Sequence, residues 1–113
     1  MPGVIKFKTL NTGDVDPGGS AELEWTTDTN IKIHKMLALD RGEKALDNVQ
    51  AFLKIGELVT TLDFIPASVL GADLEYCYKP EVGVSKGVRI YCKFVNSRAD
   101  TVNIDWVTEY EEV

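Results

Sequence analysis

The sequence predicts an all-β protein, a single antiparallel sandwich of about eight strands. Apolar and polar residues alternate with a period of two through most of the chain, which is the pattern of strands with one buried face. Clusters of Gly, Asn, Asp and Pro interrupt this alternation about every ten residues, as turns do in sandwiches and barrels. With 113 residues, the chain fits one domain spanning 1–113, and it is long enough to bury a core without disulfides or metals.

The alternation places four strands in the first half of the chain. In the first strand Ile5 and Phe7 face inward, and a dense cluster of turn residues follows at 11–19. Lys35 interrupts the inner face of the third strand, which favours a β-bulge there over a lysine whose ammonium reaches back to solvent. The inward residues of strands two, three and four are Ala21, Leu23 and Trp25; Ile31, Ile33, Leu37 and Leu39; and Val49, Ala51, Leu53 and Ile55.

Four more strands and one short helical turn follow in the second half. Gly56 and Glu57 form the reversal of a hairpin. Pro66 and Gly71 suit the start and the stop of a helical turn near 66–70. Eight strands match a jelly roll, and a seven-stranded immunoglobulin-like sandwich is the nearest alternative. The inward residues of strands five to eight are Leu58, Thr60, Leu62 and Phe64; Leu74, Tyr76 and Tyr78; Val88, Ile90, Cys92 and Phe94; and Val102, Ile104, Trp106 and Tyr110.

Composition and charge exclude several classes of protein. The net charge is −6, from 12 basic and 18 acidic residues, whereas a protein that binds nucleic acid needs a concentrated cationic face. No segment approaches the roughly 20 consecutive apolar residues of a membrane-spanning helix. The N-terminal residues lack the basic and then apolar layout of a signal peptide. We therefore expect a soluble protein with no membrane span and no nucleic-acid partner.

Residues suited to catalysis or metal binding are few. His34, the single histidine, falls on the outer face of strand three and is interpreted as a solvated strand residue. A hairpin of strands six and seven would turn Cys92 inward and Cys77 outward, which favours free thiols over a disulfide. These three residues lie too far apart in the sequence for the usual ligand spacing of a metal site. We expect neither an enzyme nor a bound cofactor.

Several apolar residues fall on outer faces by the same alternation, and together they predict an interface with a partner. The six candidates are Met36, Phe52, Val59, Tyr91, Val95 and Val107. Two of them, Phe52 and Tyr91, are aromatic, so a platform for a sugar ring is the alternative interpretation of this pair. Single exposed apolar residues are common in any protein, so the prediction depends on their being contiguous.

Charge is distributed unevenly along the chain. Basic residues concentrate in and after strand three, and acidic residues concentrate at the C-terminal end. The basic group is Lys32, Arg41 and Lys44, and the acidic group is Glu109, Glu111 and Glu112. We expect the two groups to attract each other across a subunit boundary, in which case salt would weaken the association. A solvated terminus is the alternative explanation.

Three segments of the chain are distinctive, namely Gly-Ser-Ala-Glu-Leu-Glu-Trp at 19–25, Ile-Pro-Ala-Ser-Val-Leu-Gly at 65–71 and Lys-Gly-Val-Arg-Ile-Tyr-Cys-Lys-Phe-Val-Asn-Ser at 86–97. They resemble segments of small jelly-roll virion proteins of phages and archaeal viruses. The resemblance implies a non-enzymatic coat, decoration or spike subunit that forms homo-oligomers or binds other virion proteins. It also implies a place in the virion after assembly in the host cytoplasm; otherwise we expect a cytoplasmic protein. The alternative function is a carbohydrate-binding module of the β-sandwich type, with a glycan as its ligand.

Overall fold

The computed structural model of the chain describes residues 4–42, 45–57, 59–60, 63–71 and 73–113, with the backbone alone at 59–60. Nine strands and one 3-10 turn form the regular structure of these residues. The strands are β1 (Ile5–Val15), β2 (Ser20–Thr26), β3 (Ile31–Asp40), β4 (Val49–Ile55), β5 (Val59–Thr60), β6 (Ile65–Pro66), β7 (Val82–Val84), β8 (Arg89–Asn96) and β9 (Val102–Glu112), and the 3-10 turn is Ala67–Leu70. Within the described ranges, no helix is long and apolar enough to cross a membrane.

The strands form two antiparallel sheets that pack over a common core. Sheet A has the order β1-β9-β3-β7, and sheet B has the order β2-β8-β4-β5. Strand β6 lies on the same edge of β4 as β5, because Ile55 pairs with Val59 and Ala51 pairs with Ile65. Strands β5 and β6 therefore act as one interrupted strand, and each sheet has four strands. The chain crosses between the sheets after nearly every strand, as in a jelly roll, and the predicted sandwich of about eight strands is confirmed.

The inner faces of the two sheets close over a core of aliphatic and aromatic side chains. Strands β4, β8 and β9 alternate between buried and more exposed residues through most of their length. Trp106 from sheet A and Phe94 from sheet B are the largest fully buried side chains. Burial of a phenylalanine side chain stabilises a fold by roughly 1.5–3 kcal/mol. The predicted inner faces of these three strands are confirmed.

A β-bulge between Ile33 and Lys35 changes which residues of β3 face the core. Ile33 pairs with Tyr110 of β9 and Lys35 pairs with Glu109, so β3 has one residue more than its partner at this point. The predicted bulge near Lys35 is confirmed. The extra residue reverses the alternation, because a shift of one residue exchanges the two faces of a strand. Met36 is therefore fully buried, and the prediction that it lies on the outer face is wrong.

The same bulge turns two leucines of β3 outward. Leu37 and Leu39, which the alternation predicts to face inward, pair with Val107 and Asp105 on the outer face of sheet A. Leu37 is nevertheless almost fully buried, while Leu39 is partly exposed. The prediction of an inward face is wrong for both residues, since it continued the alternation across the bulge.

A second bulge, within 11–14, has a similar effect on β1. Strand β1 continues to Val15, so only 16–19 of the predicted turn at 11–19 lies outside a strand, and the bulge includes Gly13 with a φ of +70°. Beyond the bulge Val15 is buried, as an inner-face residue should be. Before it, Ile5 and Phe7 pair with residues on the outer face of β9. The prediction that Ile5 and Phe7 face inward is therefore wrong.

The segment predicted as the sixth strand does not form one. The Asp73 carboxylate accepts hydrogen bonds from the backbone N–H groups of Glu75 and Tyr76, at 2.9 and 2.7 Å, and such a local turn competes with strand formation. Strand β7 lies beside β3 instead. Strand β8 pairs with β2 and β4, so the predicted hairpin that would carry both cysteines is absent from the described residues. Cys77 and Cys92 are free thiols, as predicted.

The predicted helical turn is confirmed as a 3-10 turn. Pro66 precedes it, and Gly71 ends it with a φ of +79°. A Cβ atom at Gly71 would overlap the carbonyl oxygen of Tyr76, so this close approach of two chain segments requires glycine. Of the predicted fifth strand, Leu58 and Leu62 lie outside the described residues, and Val59–Thr60 form β5.

Candidate functional site

The apolar residues predicted to form a partner interface, apart from the buried methionine, lie on two different surfaces. Phe52, Tyr91 and Val95 lie on the outer face of sheet B, on β4 and β8. Val107 lies on the outer face of sheet A. The side chain of Val59 is outside the described part of the structure. The fold thus brings Phe52 and Tyr91 together and separates Val107 from them.

Phe52, Phe64 and Tyr91 form an aromatic cluster on the outer face of sheet B. The ring centroid of Phe52 lies 6.4 Å from that of Tyr91, edge to face, and 5.9 Å from that of Phe64. Aromatic pairs at such distances add about 0.5–1.5 kcal/mol to the effect of the area that they bury. The prediction that Phe64 faces inward is wrong, because this exposed residue precedes β6 and lies outside the regular alternation.

Basic side chains surround the aromatic cluster. The guanidinium carbon of Arg89 lies 4.6 Å from the ring centroid of Tyr91, in a cation–π contact. Arg89 also forms an ion pair with Glu24 of β2. Lys54 is the cross-strand neighbour of Tyr91, and Lys93 follows two residues later on the same face of β8. Neither lysine forms an ion pair with a residue that the structure describes.

A small pocket opens beside the aromatic cluster, where the turn between β4 and β5 meets β8. Its volume is about 190 Å³, and its lining residues are Lys54, Gly56, Glu57, Arg89 and Tyr91. Gly56 has a φ of +51°, and its N–H donates a 2.9 Å hydrogen bond to the carbonyl of Arg89, which holds the turn against β8. The pocket therefore combines one aromatic ring, two cations and one carboxylate.

The N-terminal half of β1 forms a second exposed surface, here named the β1 edge (residues 4–9). Strand β1 is an edge strand, because β9 is its only neighbour among the described strands. Val4, Ile5 and Phe7 are 69%, 48% and 53% exposed. An exposed apolar sheet edge is a template for pairing with another chain.

Two lysines alternate with the apolar residues of the β1 edge and face the other way. Lys6 forms an ion pair with Glu112 of β9. The ammonium of Lys8 lies 6.0 Å from the ring centroid of Trp25, which belongs to sheet B. Both cations are therefore engaged within the chain, and the apolar face of the edge stays uncovered.

The charged groups predicted to attract each other between subunits are paired within one chain. Strands β3 and β9 are neighbours in sheet A, so basic residues of one lie beside acidic residues of the other. The pairs are Lys32 with Glu81 at 3.7 Å, Lys35 with Glu109 at 4.0 Å, Arg41 with Asp105 at 3.0 Å, and Lys6 with Glu112. Lys44 lies outside the described residues. The uneven charge thus has an explanation that needs no second subunit.

His34, at the bulge of β3, lies between two carboxylates. Its Nδ1 is 2.9 Å from a carboxylate oxygen of Glu81, and its Nε2 is 2.9 Å from one of Glu111. Only the imidazolium form, with both nitrogens protonated, can donate to both. The hydrogen bond to Glu81 raises the pKa of His34, burial opposes this effect, and the contact with Glu111 adds to it. His34 in turn lowers the pKa of Glu81.

The two thiols and the phenol of Tyr91 are held in their neutral forms. Burial raises the pKa of Cys92 to about 12, and it also raises the pKa of Cys77. Thiols with such pKa values are protonated and weakly nucleophilic at neutral pH. Burial raises the pKa of Tyr91, and the charge of Glu22 adds to the effect. In the described ranges, no group of three or more His, Cys, Asp or Glu residues is arranged to hold a metal ion.

Sequence reasoning missed three residues of these surfaces, namely Ile5, Phe7 and Phe64. A signal for the first two is Gly13, because a glycine inside a strand pattern marks a bulge. For Phe64 the signal is Pro66, which interrupts a regular strand pattern.

Both surfaces offer groups that suit the binding of a partner or a ligand. The aromatic cluster and its pocket offer a ring face and charged groups, and the β1 edge offers backbone groups beside apolar side chains. No protein-family model matches the chain, and no curated protein matches it either.

Proposed function

We propose that the protein is a non-enzymatic structural subunit that associates with copies of itself, as virion coat, decoration and spike proteins do. The observation that carries the proposal is the β1 edge, where apolar side chains are exposed along the last strand of a sheet. Edge strands present unpaired backbone N–H and C=O groups, and another strand can add to them. In a virion such contacts would join subunits made in the host cytoplasm.

A second copy of the chain is the partner that fits the β1 edge. Two β1 strands related by a twofold axis through Phe7 would pair antiparallel, with Phe7 against Phe7 and Ile5 against Thr9 of the second copy. Cross-strand aromatic and apolar pairs of this kind stabilise a sheet. The two four-stranded A sheets would then form one continuous sheet, and the exposed apolar side chains of the two edges would pack side by side.

Lys6 and Lys8 restrict what can add to this edge. In the twofold pairing each Lys6 would face Lys8 of the second copy, and like charges in opposite positions are unfavourable. The ion pair of Lys6 with Glu112 and the contact of Lys8 with Trp25 reduce this repulsion. Salt should screen the remainder and strengthen the association. Attraction between oppositely charged subunits would give the opposite dependence on salt.

His34 and Cys92 are the side-chain types best suited to catalysis, and the surroundings of both favour a structural role. A general base must be free to take a proton from a substrate, whereas both nitrogens of His34 contact carboxylates. A nucleophilic thiol must ionise, whereas burial keeps Cys92 protonated at neutral pH. These residues therefore stabilise the sandwich and are poorly placed for chemistry.

Sedimentation over a range of protein and salt concentrations tests this proposal. The wild-type chain should form dimers or larger assemblies, and a variant with Ile5→Thr and Phe7→Ser should shift towards monomer. The matched control is Val69→Ser, which removes an exposed apolar side chain from the 3-10 turn, outside the β1 edge. A wild-type chain that remains monomeric at every concentration and salt level contradicts the proposal, as does assembly that the double variant leaves unchanged.

Carbohydrate binding is the second candidate function, and the edge-to-face contact between Phe52 and Tyr91 favours it. Ligand sites are commonly lined by aromatic residues with a few polar groups, and the pocket beside Tyr91 has this composition. A glycan array tests the candidate. Binding that Tyr91→Ala and Phe52→Ala both abolish would support it, and binding that neither substitution changes would contradict it.

A further inference from the structure

We propose that the pocket beside Tyr91 binds a carboxylated sugar, such as a uronic acid residue of a polysaccharide, between the Tyr91 ring and the Lys54 ammonium. This inference rests on the carbohydrate-binding candidate and names the class of sugar that the site takes. It is compatible with a structural subunit, because the pocket lies on sheet B whereas the β1 edge belongs to sheet A.

The size of the pocket suits a single sugar ring. Its volume of about 190 Å³ is below the roughly 300–1,000 Å³ of pockets that enclose drug-sized ligands. The pocket opens to solvent on the outer face of the sheet, so the neighbouring sugars of a longer glycan can continue away from it. One ring would therefore enter the pocket, and the remainder of the glycan would lie outside.

Tyr91 provides the apolar surface for the ring. Arg89 packs against it at 4.6 Å from the ring centroid, and Phe52 contacts it edge to face. These contacts hold the Tyr91 ring in one orientation before a ligand arrives, which lowers the entropy lost on binding. The ring faces of pyranose sugars carry C–H groups that pack against aromatic rings of this kind.

Lys54 determines the preferred charge of the ligand, because the charge of Arg89 is already paired with that of Glu24. No described residue forms an ion pair with Lys54, so a ligand carboxylate can pair with its ammonium without displacing a carboxylate of the described part of the chain. Arg89 uses its Nε–H group for Glu24. A guanidinium has five N–H donors, so the terminal nitrogens of Arg89 have donors to offer a carboxylate as well.

Glu57 suits the hydroxyl groups of the same sugar. An ionised carboxylate only accepts hydrogen bonds, and sugar hydroxyls donate them. Glu57 also repels a ligand carboxylate, so the acid group of the sugar should lie towards Lys54 and its hydroxyls towards Glu57. This separation of charge orients the ring in the pocket.

Calorimetric titration with a tetramer of galacturonate and with the matched tetramer of galactose tests the inference. The wild-type chain should bind the charged tetramer about fivefold more tightly, which corresponds to one additional exposed ion pair of about 1 kcal/mol. Lys54→Met should bring the ratio of the two affinities close to one. Tyr91→Ala should abolish binding of both tetramers, and circular dichroism should show that each variant keeps the wild-type fold.

The matched control is Lys86→Met, which removes a lysine from the exposed turn between β7 and β8, outside the pocket. It should bind both tetramers as the wild type does. Equal wild-type affinity for the two tetramers, or a preference that survives Lys54→Met, would overturn the carboxylated sugar and leave carbohydrate binding in place. Binding of no glycan at all would overturn both. Full competition by inorganic sulfate at equal affinity would show a simple anion site and overturn the sugar.

Discussion

The imidazole of His34 is held 2.9 Å from the carboxylate of Glu111 through its Nε2, so the bulge of β3 is joined to the end of β9. The Nδ1 of the same ring contacts Glu81, which precedes β7 and has a φ of +48°. A non-glycine residue in this left-handed region has an unfavourable backbone conformation by about 1–2 kcal/mol. The contact with His34, together with Lys32 at 3.7 Å, helps to hold Glu81 there. One imidazole therefore connects three neighbouring parts of sheet A.

This arrangement predicts that the free energy of unfolding decreases as the pH rises through the pKa of His34. The folded-state pKa is raised, so the stabilising contribution is complete below the unfolded value of about 6.5 and is lost as the pH rises through the higher folded value. Urea unfolding at about pH 6 and about pH 8.5 measures the difference. The decrease should be larger in the wild type than in His34→Gln, which keeps a polar side chain but does not titrate.

The two free energies of unfolding should be compared above the acidic pH range, because Glu81 also contributes to the pH dependence there. Its pKa is lowered, chiefly by the hydrogen bond to His34, so its own stabilising contribution is lost as the pH falls and not as it rises. An equal pH dependence in wild type and His34→Gln would show that the imidazolium bridge does not form.

Replacement of Met36 by alanine should destabilise the protein by about 2–4 kcal/mol, because a fully buried side chain leaves a cavity when it is truncated. The matched control is Leu39→Ala, on the outer face of the same strand, which should have a smaller effect. Chemical denaturation of both variants measures the two losses. The opposite order would mean that β3 has no bulge and that its faces follow the simple alternation.

Replacement of Asn96 by alanine should destabilise the protein by about 2–3 kcal/mol, because it leaves buried backbone groups without partners. The amide Nδ2 donates to the carbonyls of Val15 and Asp100, at 2.9 and 2.8 Å, and Oδ1 accepts from the N–H of Arg98 at 2.9 Å. Ser97→Ala, at the exposed neighbour, is the control and should leave stability nearly unchanged. A loss as small for Asn96→Ala as for the control would show that solvent replaces these hydrogen bonds.

The inward and outward faces could be predicted well for strands without a β-bulge, in which each residue pairs with one residue of the neighbouring strand. In β4 and β8, for example, Leu53 pairs with Cys92 and Ala51 pairs with Phe94, and all four are buried as their alternation predicts. The prediction failed where the ladder has an extra residue, because each position after a bulge points to the opposite face. The bulge near Lys35 is itself predictable, since a lysine interrupts an apolar face, whereas the burial of Met36 follows from the register of β3 with β9.

The candidate pocket was only partly predictable. Phe52 and Tyr91 stand out in the sequence as aromatic residues at outward positions, and both are at such positions. The two rings touch because of the register between β4 and β8. The sequence alone does not show which strands pair or in which register. Lys54 and Glu57 join the site because the turn at Gly56 closes against β8, again a relationship between distant segments.

By itself, the sequence determined the class of fold, because period-two alternation and turn residues are local properties of the chain. It also determined that Cys92, Phe94 and Trp106 belong to the core. Only the tertiary structure decided which strands are neighbours, so it alone paired the basic residues of β3 with the acidic residues of β9. It alone turned Phe7 to the surface, because a bulge several residues away sets the face of every side chain before it.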